Sequence, residues 1–140
     1  MPETVNATLT WIDGLRFVGR ADSGHGVLLD VKSRPDHLGA SPMELFLMSI
    51  AGCTAMDVVA ILTKMRQTVE RLEVAVSGER TETNPKYYTA IELTYRLHGK
   101  GLDREKIERA VNLSHTTYCS ASASLRPDCK VTSRIELSES

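Results

Sequence analysis

The segment Met43 to Leu62 constrains the fold more than any other part of the chain. Ser41-Pro42-Met43-Glu44 opens it with an N-cap serine, a proline at the first helical position and a glutamate three residues after the cap. That pattern is a capping box, and it predicts a helix start. The run that follows is apolar almost all the way round, and Lys64 and Arg66 stand near the negative pole of its dipole. A helix without a polar face must be buried between other elements, so this one is expected at the centre of the fold. Its length approaches a membrane span, but Glu44 and Asp57 interrupt it, with Ser49, Gly52 and Thr54 between them. A charge in hydrocarbon is costly, so the segment reads as a core helix and no membrane partner is expected.

The remainder is strand-rich. Val5, Ala7, Leu9 and Trp11 alternate with polar neighbours and predict a half-buried strand. Asp13-Gly14 is a two-residue hairpin signal leading into Leu15 to Val18, and Ser23-Gly24-His25-Gly26 turns the chain into a third strand, Val27 to Val31. Beyond the central helix, Leu72, Val74 and Val76 alternate, as do Ile91, Leu93, Tyr95 and Leu97, with Asn84-Pro85 in the turn between them. Asp103 caps a second helix running to about His115, and Tyr118 to Leu125 forms a further short helix stopped before Pro127. Val131, Ser133, Ile135 and Leu137 make a last strand. The order βββ-α-ββ-α-α-β, without repeat or linker, predicts one α+β domain over residues 1–140.

Charge excludes whole classes of partner. Seventeen Lys+Arg against eighteen Asp+Glu leave a net charge of −1, so no nucleic-acid partner is expected. The N-terminus has no basic region followed by an apolar stretch, and the three cysteines are an odd, widely spaced set. Both features predict a cytoplasmic protein with free thiols rather than a disulfide framework. Two triplets, Asn6-Ala7-Thr8 and Asn112-Leu113-Ser114, match the glycosylation pattern but mean little without export.

No Gly-rich phosphate loop, Gly-x-Ser-x-Gly elbow or Cys-x-x-Cys pair is present, and no cofactor is expected. His115 and Cys119 lie four apart, but diagnostic spacing for further ligands is missing, so no metal is expected. Cys53 sits in the middle of the apolar helix, where a cysteine ordinarily packs as a small hydrophobe. Cys119 opens a short helix, whose N–H groups favour a thiolate; packing beside Tyr118 is the equal alternative. Cys129 reads as packing. Asp57 lies one turn beyond Cys53 on the same helix face. Alone, a carboxylate there would suppress thiolate formation; an arginine joining the pair would reverse that, with Arg16, Arg20 and Arg34 as candidates.

With these residues in view, the chain resembles the OsmC/Ohr superfamily of thiol-dependent hydroperoxide reductases. The marks are the strand-rich start, Ser41-Pro42-Met43-Glu44-Leu45 opening the helix, Ala51-Gly52-Cys53 within it, and Tyr118-Cys119-Ser120. Ser41 to Val59 and Leu113 to Ser120 are most similar to the YhfA-like branch. The resemblance implies an OsmC-like fold in an intertwined homodimer whose central helices are also buried by the partner. It further implies that Cys53 is peroxidatic and Cys119 resolving, with an external dithiol restoring both.

Two departures shape the expected function. The family's activating glutamate directly follows the helix-opening proline, where this chain has Met43. Glu44 is displaced by about 100° around the helix and is better placed as the capping acid. A proline commonly follows the second cysteine in the peroxidases, where Ser120 stands here. The expectation is cysteine-based reduction of small apolar organic hydroperoxides at a dimer-interface site, with Asp57, Glu44 and Arg20 as supporting residues. The alternatives are a redox-sensing or small-molecule-binding protein that has lost the activating acid, and a structural dimer in which both thiols only pack.

Overall fold

A computed structural model describes residues 2–140, which divide into two compact units, one up to residue 46 and one over residues 47–140. The element order matches the sequence reading, with one helical turn added. Strands β1 (Ala7–Asp13), β2 (Arg16–Ala21) and β3 (Gly26–Leu29) precede helix α1 (Pro42–Lys64). Strands β4 (Thr68–Arg80) and β5 (Tyr88–Lys100) follow, then α2 (Arg104–Leu113), a π-helical turn (Ser114–Tyr118), α3 (Ser120–Ala123) and β6 (Lys130–Glu139).

The N-terminal unit holds the antiparallel sheet β1-β2-β3. Its first turn falls one residue later than expected: Asp13 pairs with Arg16, and Gly14 takes the left-handed position at φ 49°. The expected half-burial of β1 is not found, since all seven of its residues are exposed, Trp11 among them. A three-stranded sheet in a unit this small leaves its outer strand without a covering layer. The third strand stops at Leu29 because Asp30 turns inward to meet Arg16.

Helix α1 begins as its sequence dictates. The Ser41 N–H donates to Glu44 Oε1 at 2.9 Å, and the Glu44 N–H donates to Ser41 Oγ at 3.2 Å, completing the reciprocal capping box. Its C-terminus is a Schellman motif: the Gln67 N–H reaches the Leu62 carbonyl and the Arg66 N–H the Thr63 carbonyl, both at 3.0 Å. Arg66 occupies the left-handed position at φ 60°.

In the C-terminal unit β5 is the central strand, antiparallel to β4 and parallel to β6. The parallel pairing follows from the helical crossover α2–α3 between β5 and β6. Ile91, Leu93, Tyr95 and Leu97 line one face of β5 and form the core with Ile50, Val58 and Leu62 of α1 and Ile107 and Ala110 of α2. Burial of α1 on every side is not what the single chain provides. Ile50, Ala51, Thr54, Val58 and Leu62 are buried at roughly four-residue spacing, whereas Met48, Met56 and Val59 remain 53%, 76% and 46% exposed. The helix is long and apolar enough to cross a membrane by composition, yet one side packs as a core helix does.

Candidate active site

Residues far apart in sequence converge on α1. Cys53 and Asp57 lie one turn apart on the helix, both half-buried beside the core stripe. Cys119 arrives from the other side because α2 does not end cleanly. Its last turn widens into the π-helical turn, in which the Cys119 N–H donates to the Ser114 carbonyl at 2.7 Å. Such turns recur at functional sites because they re-aim the residues that follow. Here the turn sets Ser114 inward and delivers Cys119 as the N-cap of α3. The two Sγ atoms and a carboxylate oxygen of Asp57 all lie within 4.8 Å of one another.

A buried line of hydroxyls supports this cluster. Ser114 Oγ donates to Asp57 Oδ2 at 2.9 Å. Ser114 Oγ also meets Thr54 Oγ1 at 2.9 Å, and Thr54 Oγ1 meets the Tyr95 hydroxyl at 2.8 Å. A hydroxyl has one proton to give, so with Ser114 committed to the acceptor-only carboxylate the order is fixed. Tyr95 donates to Thr54, Thr54 to Ser114, and Ser114 to Asp57. Tyr95, Thr54 and Ser114 are all fully buried, and among the described residues no buried side-chain nitrogen or oxygen lacks a partner. Burial also pushes the Tyr95 hydroxyl above its ordinary pKa.

For Cys119 the sequence leaves a helix-stabilised thiolate and a packed thiol as equal readings, and its surroundings favour the packed thiol. Its Sγ does accept from the Ser122 N–H at 3.4 Å and the Ser122 hydroxyl at 3.1 Å. Burial outweighs these donors and raises the pKa, and the neighbouring Cys53 raises it further. The balance favours the protonated thiol over the thiolate. Cys129 lies apart in the loop before β6, where burial first and Asp128 second push its thiol up.

The other sequence candidates belong to the N-terminal unit. The Glu44 carboxylate is engaged by Ser41, whose backbone N–H holds it below the ordinary carboxylate range. Arg16 is buried: Nε donates to Asp30 Oδ2 at 2.9 Å, Nη1 to Asp13 Oδ1 at 3.1 Å and Nη2 to the Asp36 carbonyl at 3.1 Å. Asp30 also receives the N–H groups of Leu38 and Val31, and these donors with Arg16 lower its pKa to about 2. Arg34 pairs with Asp36. Arg20 is exposed on β2, opposite Thr8 and Gly26.

Residues 35–134 match the family described as OsmC-like protein. The chain belongs to that family. Protein YhfA of Escherichia coli K12 is 39% identical over 133 residues, which cover 95% of this chain and 98% of the relative. The OsmC-like fold extends across solved structures. A hypothetical protein from Aquifex aeolicus VF5 superposes with a TM-score of 0.88 at 31% identity, covering 99% of both chains. The organic hydroperoxide resistance protein OhrB of Bacillus subtilis superposes with a TM-score of 0.65 at 22% identity, covering 97% of this chain and 98% of that one.

Within this OsmC-like protein, the sequence singled out both cysteines and Asp57, which the fold brings together, but not Ser114, Thr54 and Tyr95. A faint signal existed for one of them. Thr54 is a polar residue beside Cys53 in an apolar helix, where an unpartnered hydroxyl would be costly.

Proposed function

We propose that this protein reduces organic hydroperoxides in the cytoplasm through a Cys53–Cys119 dithiol cycle. The observation that carries this reading is the approach of the two sulfurs to within 4.8 Å across elements remote in sequence. A disulfide bond spans about 2.05 Å, so side-chain rotation and a small adjustment of the π-turn would close it. The Cys53 thiolate takes the distal peroxide oxygen with its hydrogen, the O–O bond breaks, and the departing alkoxide takes a proton from water to leave as the alcohol. Cys53 is then a sulfenic acid. The Cys119 sulfur displaces its hydroxyl, water leaves and the disulfide forms. An external dithiol reduces the disulfide by exchange and is itself oxidised.

A homodimer is part of this reading. In the C-terminal unit Ala51, Met56 and Val59 of α1 border, with Leu72 and Val74 of β4, an apolar hollow of about 570 Å³. In the N-terminal unit β1 exposes Leu9 and Trp11. Both faces need cover, and a second copy would supply it. An apolar site lined in part by such a face suits fatty or aryl hydroperoxides. The relationship to organic hydroperoxide resistance proteins supports the same substrate class.

One observation favours a second reading, a redox-sensing or ligand-binding protein without efficient turnover. Glu44 is committed to its capping box, and Arg16 to Asp30 and Asp13. Purified protein with a dithiol reductant and cumene hydroperoxide separates the two. The peroxidase reading expects sustained consumption that is abolished in Cys53→Ser. Turnover that survives this substitution contradicts it, and a single slow oxidation without turnover favours the sensor.

A further inference from the structure

We propose that the reduced protein binds one borderline-soft divalent cation of the zinc class per chain, held by Cys53, Asp57 and Cys119. No metal is expected from sequence spacing, which offers only His115 with Cys119. The fold changes the ligand set by bringing Asp57 to both sulfurs, with one ligand atom from each residue inside a 4.8 Å span. Tetrahedral bonds of about 2.0–2.3 Å set neighbouring ligand atoms roughly 3.5–3.8 Å apart, so the three need approach by only about 1 Å. Two thiolates and one carboxylate select against magnesium and calcium, which take oxygen shells, and suit zinc. Three protein ligands leave a fourth position for water or a small ligand.

The surroundings are those of a supported metal shell. Ser114 holds the Asp57 carboxylate from outside, and Ser114 is itself fixed by Thr54 and Tyr95. The Ser122 N–H and hydroxyl donate to Cys119 Sγ, as donors commonly do around a ligating sulfur. Asp57 also lines a pocket of about 380 Å³ with Ile61, Lys64, Leu113 and Tyr118, so its carboxylate is reached from that side. Binding is balanced simply: the two thiols release two protons, Asp57 ligates as the carboxylate, and the cation takes both sulfurs. Burial raises the Cys119 pKa in the free protein, and a bound cation reverses that logic by stabilising the thiolate directly. The site stands independently of peroxide turnover, although a bound cation would occupy the thiols that turnover needs.

The test uses the reduced full chain with cobalt(II) and zinc(II). Cobalt should give thiolate charge-transfer absorption in the near ultraviolet and the visible bands of a tetrahedral site, both erased by zinc. One equivalent of zinc should protect Cys53 and Cys119, but not Cys129, from alkylation read by mass spectrometry; magnesium should protect neither. Cys53→Ser, Cys119→Ser and Asp57→Ala should each weaken zinc binding by at least about 10–100-fold, the loss typical of removing even an outer-shell partner. Absence of charge transfer, equal labelling of all three cysteines, or unchanged affinity in any of the three variants overturns the site. The wild-type alkylation arm needs no substitution, so a misfolded variant does not shield the proposal. Hydroperoxide consumption measured in chelator reports on the peroxidase reading separately, because either result is compatible with cation binding.

Discussion

Ser114 donates its hydroxyl proton to Asp57 Oδ2 over 2.9 Å, and so joins the π-helical turn to the central helix at the level of the cysteines. Ser114 is wholly buried and also accepts from Thr54, so its removal strands two polar groups at once. Ser114→Ala should destabilise the protein by about 1–3 kcal/mol in urea titration. Because Thr54 and Ser114 share a bond, Thr54→Val with Ser114→Ala should cost less than the two singly, with coupling of about 0.5–3 kcal/mol. Additive effects would mean that the hydroxyl line is not a unit.

Acid stability should report Asp30. Its ordinary carboxyl value of 3.8 falls to about 2 through the Leu38 N–H, then Arg16, then the Val31 N–H. A carboxyl depressed by folding contributes stability that is complete above the unfolded value and is lost as pH falls through the folded one. Wild-type stability should therefore decline between about pH 4 and pH 2, with Glu44 adding to the same acid-side loss. Asp30→Asn should be less stable at neutral pH and show a shallower acid decline, read by circular dichroism across that range.

Arg66 is an L-residue in the left-handed conformation at the end of α1. Such a residue pays about 1–2 kcal/mol in sterics, and glycine recovers most of it against a greater loss of chain freedom. Arg66→Gly should raise stability by about 0.5–1 kcal/mol, seen as a small increase in denaturation midpoint. A decrease would show that the Arg66 side chain contributes more than its backbone costs.

The starts and stops of the helices were legible in the sequence because they depend on neighbours. The capping box at Ser41 and Glu44 and the Asp103 cap of α2, which accepts from the Glu105 N–H, are local hydrogen bonds. The family was legible through Cys53 and Cys119 in their sequence contexts. The exposure of β1 and of one side of α1 was not, since alternation and apolar content report what needs cover rather than what supplies it. The hydroxyl line escaped notice for a different reason. Thr54, Tyr95 and Ser114 meet only after β5 and α2 have packed on α1, and no periodicity marks that meeting. The π-turn that aims Ser114 inward likewise has no sequence signature.

Cys119 reactivity should follow its burial. With its pKa raised, Cys119 should alkylate more slowly than a free thiol at neutral pH in chelated, reduced protein. Its rate should still be climbing as pH passes about 8.5, the unperturbed thiol value. Labelling at pH 7 as fast as free cysteine would contradict the environment described here.

Whether Cys53 and Cys119 form one redox pair is decided by a single-equivalent titration. Reduced, metal-free protein receives one equivalent of cumene hydroperoxide per chain, and its cysteines are mapped by peptide mass spectrometry. A redox pair gives a Cys53–Cys119 disulfide within the chain, with Cys129 left as a free thiol. Both thiols remaining reduced, or a disulfide that includes Cys129, would contradict it.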